Sequence, residues 1–69
     1  MNPDDWVAER RLRNGGLRIR HLPTRCVFEV WVDGKEVRVL LRQGAASTAL
    51  FEEAKQWFLQ FGKDQLDLL

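Results

Sequence analysis

Residues 26–42, Cys26-Val27-Phe28-Glu29-Val30-Trp31-Val32-Asp33-Gly34-Lys35-Glu36-Val37-Arg38-Val39-Leu40-Leu41-Arg42, decide the fold. Two runs rich in β-branched and aromatic residues flank Asp33-Gly34, a pair that tolerates the positive φ of a tight turn. This is the strongest short-range signal for a β-hairpin. With Asp33 and Gly34 as the loop, Val32 faces Lys35, Val30 faces Val37, Phe28 faces Val39 and Cys26 faces Leu41. Those pairs make one face almost wholly apolar. The other face pairs Trp31 with Glu36, Glu29 with Arg38, Val27 with Leu40 and Arg25 with Arg42. The opposite charges at Glu29 and Arg38 suit this arrangement, and a slip of one residue would exchange the two faces.

Downstream, Leu50, Ala54, Trp57, Phe58 and Phe61 recur at the spacing of one helical stripe. The spacing predicts a helix over Thr48–Phe61, capped by Ser47 or Thr48 and ended by Gly62 in the left-handed conformation that follows many helices. Its stripe is expected to cover the Phe28/Val30/Val37/Val39 face. Upstream, Pro3, Asp4 and Asp5 predict a short N-terminal helix after an Asn2 cap, ending at the Asn14-Gly15-Gly16 turn. Leu17-Arg18-Ile19-Arg20-His21-Leu22 alternates and offers a third strand, stopped by Pro23. The fold class expected is therefore α+β: a hairpin, or three antiparallel strands, with one C-terminal helix on one face, in a single small domain spanning residues 1–69.

Composition narrows the function. A chain of 69 residues usually needs a staple or a partner to supplement its small core. Cys26 is the sole cysteine, so no disulfide closes within the chain, and Cys26 with His21 falls short of the four ligands of a closed zinc site. Good packing and a homodimer remain as the expected sources of stability. No apolar run is long enough to span a membrane, and the acidic start Met1–Asp5 does not read as a signal peptide, so the expected setting is cytoplasmic.

Catalytic groups do not converge. Cys26 falls on the apolar hairpin face, where a thiol acts as a small hydrophobe, and His21 reads as a strand-end residue rather than a base. Asp4/Asp5 and Glu52/Glu53 are sequence neighbours that diverge on a helix, and Gly15-Gly16 lacks the spacing of a phosphate loop. No enzyme, no metal site and no cofactor is expected.

Surface chemistry gives two leads. Val27, Trp31 and Leu40 lie on the hairpin face opposite the helix, and an exposed apolar set of this kind marks a protein interface. Three coverings compete with that reading: the N-terminal segment with Trp6 and Val7, the Leu66/Leu68/Leu69 tail, or an added strand. The candidate protein-binding residues are Val27, Trp31, Leu40 and Trp6. The second lead is charge. The net charge is +1, yet residues 1–25 hold six arginines against three carboxylates while residues 26–69 are net acidic. Arg10, Arg11, Arg13, Arg18, Arg20 and Arg25 form the alternative, a nucleic-acid-binding patch, set against a plain solvated arginine face.

In layout, the hairpin Cys26–Arg42 followed by the helix Thr48–Phe61 resembles the small phage-encoded proteins that bind and inhibit host regulators, such as quorum-sensing anti-activators directed at a LuxR-type receptor. The likeness covers chain length and about half the residues and carries no motif. It implies a dimeric inhibitor that sequesters a host regulatory protein in the host cytoplasm. The function expected is a non-catalytic protein-binding module; the alternative is a small nucleic-acid-binding protein.

Overall fold

The central hairpin is half of a larger sheet. A computed structural model describes all 69 residues, Met1–Leu69. After a 3-10 turn at Pro3–Asp5 come β1 (Trp6–Arg11), β2 (Leu17–His21), β3 (Val27–Asp33), β4 (Glu36–Gln43) and α1 (Thr48–Leu68). The strands pair antiparallel in chain order, β1-β2-β3-β4, and α1 packs across one face of all four. The α+β class and the helix on one face are as the sequence predicts. The third strand is present as β2, and β1 adds a fourth.

β1 replaces the expected N-terminal helix. Asn2 does cap, its side chain accepting from the Asp4 backbone N–H, but only the 3-10 turn follows. Pairing wins over local helix signals here. Trp6 turns inward opposite His21, Val7 outward opposite Arg20 and Ala8 inward opposite Ile19, before a bulge between Ala8 and Arg10. Asn14-Gly15-Gly16 forms the predicted turn, with the Asn14 side chain accepting from the Gly16 N–H. Gly16 lies against β3 so closely that a Cβ there would meet the Val30 carbonyl oxygen.

The hairpin keeps its faces but moves its register by two residues. Asp33 pairs with Glu36, Val32 with Val37, Val30 with Val39 and Phe28 with Leu41, so the loop is Gly34-Lys35. Gly34 has φ 64° and Lys35 is not left-handed, the pattern of a type II′ turn with glycine first. A turn that needs one positive φ, placed on the glycine, displaces the expected Asp33-Gly34 loop. An even shift leaves each side chain on its predicted face, although Glu29 now lies opposite Leu40 and Trp31 opposite Arg38.

α1 starts where expected. The Ser47 hydroxyl accepts from the Leu50 N–H at 3.1 Å, and Leu50, Ala54, Trp57 and Phe58 are buried. It does not stop at Gly62. Gly62 stays helical and lies against the Phe58 ring. The stripe then continues to Leu66, which packs on the core. Arg11 donates to the Leu66 carbonyl, meeting one of the orphan acceptors of the last turn.

The core joins both layers: Trp6, Leu17, Ile19, Cys26, Phe28 and Val30 from the sheet side against Leu50, Ala54, Trp57 and Phe58. The Trp6 ring stands 4.6 Å from His21, 5.8 Å from Phe28 and 6.5 Å from Trp57. Trp57 Nε1 donates to the Pro3 carbonyl at 3.0 Å, tying the helix to the start of the chain. No helix is long and apolar enough to cross a membrane.

Candidate functional site

The fold encloses no pocket, and its distinctive surface is the sheet face that α1 leaves open. Strand alternation fixes what stands there. Across the middle of the sheet the register sets Arg10 opposite Arg18, Arg18 opposite Glu29 and Glu29 opposite Leu40. Nearer the start of β1 the row is Val7, Arg20, Val27 and Gln43, and toward the hairpin tip it is Trp31 and Arg38.

Two carboxylates organise the arginines. Glu9 reaches Arg20 at 2.9 Å and Arg18 at 3.7 Å. Glu29 lies 3.7 Å from Arg10 and 3.9 Å from Arg42. Arg38 is held at the tip by Glu36 at 3.1 Å and Asp33 at 3.6 Å. The bulge puts Glu9 and Arg10 on the same open face, so β1 contributes both charges to one patch. Four guanidinium groups thus share two carboxylates, leaving the centre of the face net positive. Partly exposed ion pairs add about 0–1 kcal/mol each to stability, so this charge is not what holds the fold.

The expected site residues divide. Trp31 and Leu40 stand on the open face, Trp31 half-buried and Leu40 43% exposed, joined by Val7 from β1. Val27 is on that face but fully covered, flanked by Arg20 and Gln43. Trp6 belongs to the opposite face of the sheet: only 4% of it is exposed, because the inward position opposite His21 places it in the core. None of the three coverings weighed from the sequence closes the face. Trp6 packs beneath α1, Leu66 packs on the core, and the added strands widen the open face.

The arginines divide as well. Arg10, Arg18 and Arg20 are on the open face. Arg11 points to the helix side and caps α1. Arg13 lies beyond β1 near the β1–β2 turn, and Arg25 occupies the β2–β3 connection with φ 62°. Arg38 and Arg42, outside the basic first third, join the patch instead. The signal for them was present in hairpin parity, which sets both on the Trp31 side. Cys26 and His21 turn to separate partners, the thiol to the Ala45 carbonyl at 3.3 Å and the imidazole Nδ1 to Thr24 Oγ1 at 2.9 Å.

Compared with known proteins, the chain matches no family model, no curated protein and no solved structure.

Proposed function

We propose that the chain is a non-catalytic protein-binding module whose open sheet face holds an acidic, partly apolar surface of another protein. One observation carries this: Trp31, Leu40 and Val7 stand on a face that no element of the chain covers, amid arginines with only two central carboxylates. Desolvated aromatic and arginine side chains are where interface energy concentrates. The layout resemblance extends the reading to an inhibitor or anti-activator that sequesters a host regulator.

The second reading, nucleic-acid binding, is favoured by Arg10, Arg18, Arg20 and Arg42 sharing Glu9 and Glu29 on an open sheet. One experiment separates the two: pull-down from host lysate, with and without nuclease, by the parent chain, Trp31→Ala and Arg18→Ala/Arg20→Ala. A nuclease-resistant partner lost with Trp31→Ala supports protein binding. Capture abolished by nuclease, with oligonucleotide affinity falling by orders of magnitude from about 50 to about 200 mM salt, moves the assignment to the second reading.

A further inference from the structure

The two free edges of the sheet are protected unequally. β1 carries a bulge between Ala8 and Arg10, and the 3-10 turn leads into it. β4 has no proline, no lysine and no irregularity from Glu36 to Leu41; the register shifts only beyond, opposite Val27/Phe28. Bulges and prolines are common devices that keep an edge from pairing with another chain. β4 lacks both.

We infer that β4 pairs antiparallel with β4 of a second copy of this chain, about a two-fold axis at Val39, making a continuous eight-stranded sheet. The backbone is prepared for it. A two-residue loop makes Asp33/Glu36 the hydrogen-bonded closing pair. Alternation then directs the N–H and C=O of Val37, Val39 and Leu41 away from β3, toward the open edge. Centred on Val39, these groups meet their own counterparts: Val39 opposite Val39, and Val37 opposite Leu41 on each side.

Charge selects this register over its neighbours. On the open face it sets Glu36 opposite the second copy's Arg42, twice by symmetry, and Arg38 opposite Leu40. Moving the axis to Leu40 sets Arg38 against Arg42 twice. Moving it to Arg38 sets two Arg38 side chains against each other. Like charges directly opposite destabilise a strand pair and unlike charges stabilise it. On the helix side, Val37, Val39 and Leu41 are each only partly buried by α1, and the pairing joins them into one apolar row. A single strand pairing lies at the small end of specific interfaces, so the dimer exchanges with monomer in the micromolar range. The inference is independent of what the open face binds.

Sedimentation equilibrium of the full chain tests it. The mass is expected to rise from 8.1 kDa toward twice that value across the micromolar range. Hydrogen exchange is expected to show the Val37, Val39 and Leu41 amides protected in the dimer and released on dilution. Glu36→Arg alone and Arg42→Glu alone each oppose like charges at both ends of the pairing, so each weakens self-association by about tenfold. Mixed one to one, the two variants carry opposite signs at every opposed position, and the hetero-pair regains the parent affinity. A single 8.1 kDa species throughout overturns the inference. So does a dimer whose three amides exchange freely, or a mixture of folded variants that associates no better than either alone. The mass and exchange measurements on the parent chain decide the matter if a variant fails to fold.

Discussion

Two buried indoles in this core differ by one hydrogen bond. Trp57 Nε1 donates to the Pro3 carbonyl, whereas Trp6 Nε1 is buried without a partner. Trp57→Phe removes a part-buried hydrogen bond, while Trp6→Phe removes a buried donor that made none. Trp57→Phe is therefore expected to cost more stability than Trp6→Phe in urea unfolding, though both remove the same atoms. Truncation is harsher. Phe28 is fully buried and Trp57 nearly so, and Phe28→Ala or Trp57→Ala should each lose about 3–5 kcal/mol, comparable to the whole stability of so small a domain. Both variants melting near the parent temperature would contradict the helix-on-sheet packing. At this scale the sequence spoke unevenly. Phe28, Val30, Trp57 and Phe58 were legible as core because each sits in a long periodic run. Trp6 was not, since one aromatic beside Val7 and a charged stretch has no period of its own. Its place is set by pairing with His21, some fifteen residues away.

For the elements, alternation and register are separate pieces of information. Strand alternation alone fixed which residues of the hairpin face the helix. The turn fixed which residues are opposite, and there the decisive atom is the missing Cβ of Gly34 at φ 64°. Gly34→Ala is expected to cost about 1 kcal/mol, measurable by denaturant titration, with no change in the sheet's faces. The end of α1 shows the converse. Gly62 reads locally as a stop, but the packing of Leu66 on the core and the contact from Arg11, 55 residues away in sequence, carry the helix onward. Arg11→Ala should leave the helix in place and speed hydrogen exchange in its last turn alone. Unchanged exchange there would show that Leu66 packing suffices.

At the level of the whole molecule, the fold class was legible because a period-2 run and a 3.6-period stripe followed each other with clear caps and turns. The open face was legible only in its hairpin half. Arg10, Arg18 and Arg20 came into register with Arg38 and Arg42 only once β1 and β2 were placed, and that placement depends on long-range pairing rather than on local pattern. Replacing Arg18 and Arg20 with alanine should leave the fold close to its parent stability, since partly exposed ion pairs contribute about 0–1 kcal/mol each. A large loss of melting temperature would show that the patch is structural.

The bulge in β1 has a bearing on growth. A sheet with two regular edges can add copies at both and lengthen into a filament. Here Glu9 is the extra residue that breaks the regular spacing of the outer edge between Ala8 and Arg10. A two-fold pair joined through β4 would present only kinked outer strands, so addition ends at two. Deleting Glu9 would straighten that strand and turn a closed pair into a chain-growing unit. Turbidity and amyloid-dye binding on concentration should then appear in the deletion variant and stay absent in the parent; a variant that remains clear would mean the outer edge is blocked by something other than its kink.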